Sequence, residues 1–319
     1  MPSSRYRTET RLVHAGTQRS EFGETSEALF LTQGYVYESS AQAERRFKNE
    51  EPGYQYSRFS NPTVSMFEAR MAALEGAEAA RATATGMAAV TVAILGQLKA
   101  GDHVVAAKAL FGSCRYVVED FLPRYGISST LVDGTDLAQW KNAVRPNTKT
   151  FFLESPTNPT LEIVDIAEVA KIAHAAGATL VVDNVFATPL FQSPFALGAD
   201  CVVYSATKHI DGQGRCLGGV ILGSEKFIQD NVQTLIRQTG PSISPFNAWV
   251  LLKGLETLSV RVHRQTDTAA TVSVALVDHP KITRMIYPGR PDHPQAAVAQ
   301  KQMRGEQVFH HVVGVFEPA

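Results

Sequence analysis

Residues 179–219 carry two short apolar runs, Leu180-Val181-Val182 and Cys201-Val202-Val203, each cut off by polar residues. Unbroken apolar runs of this length are the mark of strands buried on both faces, as in parallel sheets covered by helices. The first run stops at Asp183, and the second leads into Ser205, Thr207 and Lys208. Ligands of open α/β sheets lie outside the carboxyl ends of the strands, so one carboxylate, two hydroxyls and one amine are expected around a common crevice. Strand alternation would put Ser205 and Thr207 on one side and Lys208 on the other.

Those residue types suit pyridoxal 5'-phosphate. An amine such as that of Lys208 can bond covalently to the cofactor aldehyde when its surroundings leave part of it deprotonated. A carboxylate such as Asp183 holds a ring nitrogen protonated by charge pairing, and the hydroxyls of Ser205 and Thr207 can bond a phosphate. Each residue alone has a plainer reading, since an Asp at a strand end commonly caps the next helix and a Lys there is commonly solvated. Only their joint occurrence points to the cofactor.

The rest of the chain repeats the alternation. Strands are expected at 79–84, 103–107, 129–132 and 150–153, and again in the VILG run that Gly218-Gly219 opens. Helices are expected from Pro62 to a stop at Gly76, from Gly86 to about Leu98, near 136–144, after Asp165, over 226–238, and from Pro245 to about Val277. This pattern predicts an α/β fold, a mostly parallel sheet with helices on both faces. Gly86-Met87 opens a helix after a strand, where backbone N–H groups and the helix dipole favour phosphate, although a plain turn explains the same residues. Residues 1–60 show little periodicity and many aromatics, so they are expected to pack on something larger. Near their end stand Tyr56 and Arg58, a phosphate-binding pair or a packed ring beside a solvated cation.

The segments VDNVFATP and SATKHIDGQGRCLGG, with YSR at 56–58 and ESPTNP at 154–159, resemble the Cys/Met-metabolism family of pyridoxal-phosphate enzymes. The resemblance runs from about Thr10 to about Met303. It implies the aspartate-aminotransferase-like arrangement called fold type I, with an arm (1–60), a cofactor-binding large domain (61–258), and a linking helix with an incomplete small domain (259–319). It implies catalytic roles for Lys208 and Asp183. Cofactor contacts would come from Gly86, Met87, Ser205 and Thr207, with Asn158 at the phenolic oxygen. Tyr56 and Arg58 would reach the phosphate of a neighbouring subunit in a homodimer or homotetramer. Phe111 stands where the family often has tyrosine; it keeps the stacking face and loses the hydroxyl, or is a simple core aromatic.

DGQGR and Phe111 point to the branch that replaces the succinyloxy group of an amino-acid ester, O-succinylhomoserine, with sulfide to give homocysteine. Branches that use cysteine as nucleophile, or that let the intermediate hydrolyse, share the same core, and a catalytically impaired cofactor-binding chain is the further alternative. From Arg304 the sequence leaves the family pattern, and no residue there matches the arginine with which relatives hold the substrate α-carboxylate.

Composition narrows the remaining classes. With 44% hydrophobic and 19% charged residues the 319-residue chain is an ordinary globular protein of about two domains, and a formal net charge of −1 offers no broad basic surface for nucleic acid. Three cysteines without C-x-x-C spacing and scattered histidines, His310-His311 included, suggest neither a disulfide framework nor a metal site. No apolar signal core or membrane span is visible, so a cytoplasmic location is expected.

Overall fold

The structure is a computed structural model that describes residues 6–304 and the backbone of 315–318. The first five residues, the His310-His311 pair and most of the segment after Arg304 lie outside the described residues. Strands among the described residues are β1 (Ala79–Thr83), β2 (His103–Ala107), β3 (Ser128–Val132), β4 (Thr148–Glu154), β5 (Thr179–Asp183), β6 (Cys201–Ser205), β7 (Gly219–Gly223), β8 (Ile282–Ile286) and β9 (Val315–Pro318). The chain divides into two compact units, Met1–Ala89 with Ser205–Thr257, and Val90–Tyr204 with Leu258–Ala319.

The second unit is built on parallel strands in the order β6-β5-β4-β2-β3. Their central residues, among them Phe151, Phe152, Val181, Val182 and Val202, are fully buried. Burial of each such side chain contributes about 1.5–3 kcal/mol, which is why these runs read as strands without any polar alternation. The register sets Glu154 opposite Asp183, so both strands deliver a carboxyl to the same carboxyl-terminal edge. Asp165 caps the helix Ile166–Ala175 by accepting from Glu168 N at 3.1 Å. A separate antiparallel pair, β8 and β9, belongs to the same unit.

In the first unit β1 and β7 pair antiparallel, with Thr83 opposite Gly219. The helix Pro62–Glu75 starts where expected, its cap Asn61 accepting from Thr63 N at 2.9 Å, and stops at Gly76, whose φ of 81° suits glycine. Its inward face, Met66, Phe67 and Met71, is wholly buried.

The polar arm is tied to this helix by charge. Buried Arg70 pairs with Glu27 and donates to Ala15 O at 2.8 Å, while Glu27 also pairs with Lys253. Burial pushes the Glu27 carboxyl up, but Lys253 and Arg70 outweigh it and bring the pKa to about 2.

Two expectations needed correction. Helices Thr8–His14 and Ser40–Phe47 lie in the arm read as aperiodic, the second capped by Ser39 accepting from Gln42 N at 3.1 Å. The expected long helix from Pro245 is two, Pro245–Glu256 and Leu258–Leu276, parted at Thr257.

Candidate active site

The first unit brings Gly86, Ser205, Thr207 and Lys208 onto neighbouring turns. A Cβ placed on Gly86 would come within 2.5 Å of Ser205 Cβ, far inside contact distance, so only glycine lets the Thr85-Gly86 turn approach the end of β6. Gly219 has the same cause, since a Cβ there would strike Thr85 O and the Thr83 hydroxyl. Gly86 then opens the helix Gly86–Leu95, with Thr85 Oγ1 accepting from Ala88 N at 3.0 Å. Gly86 and Met87 thus occupy the first turn of a helix, the positive end of its dipole.

Alternation fails beyond Ser205. The strand ends at that residue and the chain turns, Lys208 N donating to Ser205 O at 3.3 Å and Gly212 N to Lys208 O at 2.7 Å. The placement of Ser205 and Thr207 on one side by strand parity is therefore overturned. Instead Thr207 is fixed by its hydroxyl, which accepts from Gly218 N at 3.1 Å and donates to Gly218 O at 3.2 Å. Lys208 itself is exposed. Below the turn, buried Asp211 accepts from Arg215 N at 2.7 Å and Arg215 Nε at 2.9 Å, which braces the DGQGR loop.

Tyr56 and Arg58 lie elsewhere in this unit, beside a cleft of about 420 Å³ that Ser242 and Ser244 also line. The Arg58 guanidinium donates to Arg237 O and sits 5.4 Å from the Tyr56 ring centre and 5.0 Å from that of Phe59.

The second unit gathers Asp183, Asn158 and Phe111 around a residue that the sequence reading passed over, Glu154. Glu154 Oε2 accepts from Phe111 N at 2.9 Å, and the Glu154 carboxyl also accepts from the backbone N–H of Asn158. Asp183 Oδ1 accepts from Val185 N at 3.0 Å. Glu154 is 4% and Asp183 8% exposed. Burial raises both, Asp183 to about 7 and Glu154, with the Asp183 charge adding to the effect, to about 9. Phe111 is 43% exposed, so its ring is presented rather than buried in the core.

Behind the strand ends runs a chain of amides. Gln192 Nε2 donates to Asn184 Oδ1 and to Ser155 O, both at 2.8 Å. Gln302 Nε2 donates to Gln192 Oε1 at 3.2 Å, and Asn184 Nδ2 to Tyr204 Oη at 2.6 Å.

These residues fit pyridoxal phosphate on structural grounds. The close approach of the Thr85-Gly86 turn to Ser205 brings a hydroxyl to a helix start, donors of the kind a phosphate takes, and a buried carboxyl pushed up to about 7 lacks the cation that a protonated ring nitrogen supplies. The chain belongs to the family described as Cys/Met metabolism PLP-dependent enzymes, matching it over residues 9–315, which carries the family pattern past Arg304, where the resemblance was expected to end. It is 54% identical to an O-succinylhomoserine sulfhydrylase of Mycobacterium tuberculosis over 92% of this chain and 72% of that protein. To the enzyme of the same name from Pseudomonas aeruginosa it is 48% identical, over 93% and 73%. The metY protein of Campylobacter jejuni, crystallised with a pyridoxyl-lysine monophosphate, has the same fold at a TM-score of 0.93 and 29% identity, over 98% of this chain and 85% of that one. The fold is thus the α/β fold type I of the pyridoxal-phosphate enzymes, and the cofactor is pyridoxal phosphate.

Proposed function

We propose that the chain exchanges the γ-succinyloxy group of O-succinylhomoserine for sulfide, giving homocysteine and succinate. The observation that carries this reading is the high identity to two O-succinylhomoserine sulfhydrylases across nearly the whole chain. In it, Gly86, Met87, Ser205 and Thr207 bind the phosphate and Phe111 supplies a flat face for the ring. Asn158 orients the phenolic oxygen. Asp183 holds a proton at the ring nitrogen, and the bound cofactor supplies an electron sink for the substrate carbanion. Lys208 anchors the cofactor, then takes the proton from the substrate α carbon and returns protons as succinate leaves and sulfide adds.

Tyr56 and Arg58 are assigned to the phosphate of a second copy in a homodimer or homotetramer, supported by the exposed apolar residues Phe22, Leu31 and Val36 on their arm. Residues 1–60 are read as that arm, 61–258 as the cofactor domain and 259–319 as the linking helix with small-domain segments. The free cysteines Cys114, Cys201 and Cys216 fit a cytoplasmic location.

Borohydride reduction of the cofactor-loaded protein followed by peptide mapping should label Lys208, and turnover should be assayed with sulfide, with cysteine and with neither. A label on another lysine overturns the assignment. Preference for cysteine, or release of succinate without added nucleophile, would favour the synthase or lyase reading that other similar proteins carry. Sharing of sites predicts that mixed Arg58→Ala and Lys208→Ala chains regain activity through hybrid dimers; hybrids without activity would refute it.

A further inference from the structure

Glu154 is unexplained by the roles given above. Its side chain is 4% exposed, it closes β4, and its strand register places it opposite Asp183. Two backbone N–H groups from separate segments converge on its carboxyl: Phe111, 43 residues earlier in the chain, and Asn158 on the turn that follows β4. Phe111 N opens the short helix Gly112–Tyr116, while Asn158 sits in the turn before Leu161, so one carboxyl joins two otherwise independent loops. The acceptor they share is the buried partner: Glu154 is enclosed at its strand end, and a buried carboxyl is held in place by the N–H groups that satisfy it.

We infer that Glu154 is a positioning residue, whose carboxyl clamps the Phe111 loop and the Asn158 turn to the strand end beside Asp183. This rests on the proposed assignment of Phe111 and Asn158 to the cofactor. The clamp holds the stacking face and the amide at fixed places relative to the carboxyl at the ring nitrogen. Burial, with the Asp183 charge, pushes Glu154 up and so favours its neutral form, while the two N–H groups use its oxygens as acceptors. A neutral amide of the same length should therefore replace it, while a shorter or apolar side chain should not.

The test compares Glu154→Gln with Glu154→Ala, reading exchange of the Phe111 and Asn158 amide protons in cofactor-free protein, pyridoxal phosphate affinity by titration, and circular dichroism of the bound cofactor band. Glu154→Ala should speed exchange at both amides, weaken binding roughly tenfold and alter the dichroic band, whereas Glu154→Gln should restore all three to within about threefold. Should the alanine variant fail to fold, Glu154→Leu, which fills the volume without an acceptor, is read in its place. Unchanged exchange in the alanine or leucine variant overturns the clamp. Faster exchange with unchanged affinity and dichroism reduces Glu154 to a structural residue, and glutamine behaving like alanine also refutes the inference. Absence of a label at Lys208 in the parent protein would sink the cofactor reading separately, since amide exchange is read without cofactor.

Discussion

The two clusters of candidate residues are built on opposite principles. Around Gly86 and Ser205 the first unit uses backbone, hydroxyls and missing side chains, with the position of every group set by close approach. Around Glu154 and Asp183 the second unit concentrates two carboxyls in a nearly closed strand edge. The first presents hydroxyls and helix-start N–H groups, and the second holds two carboxyls whose ionisation burial suppresses. The difference teaches that shape should dominate responses to mutation in one region and pH in the other.

The largest effect is expected from Gly86→Val. Its branched side chain must displace Ser205, and overpacking of this kind costs about 1–3 kcal/mol in addition to shifting the proposed phosphate site. Cofactor should be lost from the purified protein at every pH, with a lowered melting temperature; a variant that keeps full cofactor would show that the region is not shape-limited.

Asp183→Asn should come next. Asp183 and Glu154 have folded pKa values of about 7 and about 9, above their ordinary values of 3.8 and 4.5. Native protein therefore binds more protons than unfolded chain between those limits, so the stabilisation present below about pH 4 is lost as pH rises through 7 and 9. Removing the Asp183 charge should flatten that decline in the cofactor-free protein while slowing substrate α-proton exchange by about a hundredfold. An unchanged stability-versus-pH curve in urea titrations would break the contrast between the regions.

Thr207→Val is the mildest change. It removes the two hydroxyl bonds to Gly218, worth about 1 kcal/mol each, and so loosens the turn that carries Lys208; cofactor affinity should fall several-fold and Thr207→Ser should recover it. Equal affinity of both variants would show that the hydroxyl is dispensable.

Much of the scaffold was legible because each signal had a local cause. Asn61 and Asp165 cap helices in the structure as their sequence positions suggest, and unbroken apolar runs became the parallel strands. Ser40–Phe47 escaped notice because a polar helix carries no apolar stripe, and the break at Thr257 because nothing in its neighbours forbids a helix. Ser205 and Thr207 were singled out for their hydroxyls, yet the alternation argument assumed a strand that had already ended. Glu154 was legible only as the first residue of the ESPTNP turn, with no role attached. That place also closes an apolar run, the signal that flagged Asp183; its pairing with Asp183, 29 positions away, and the amides that meet it came only with the fold.

The amide chain behind the strand ends has a direction. Gln302 gives a hydrogen to Gln192, Gln192 gives one to Asn184, and Asn184 gives one to Tyr204, so each member fixes which way the next must face. Such a relay conveys orientation without moving charge, and it reads like a sentence that has one grammatical order. Replacing Gln302 with glutamate would set acceptor against acceptor at both Gln192 and Val164 O, whereas a methionine would leave those two and the Ile166 N–H without their partner.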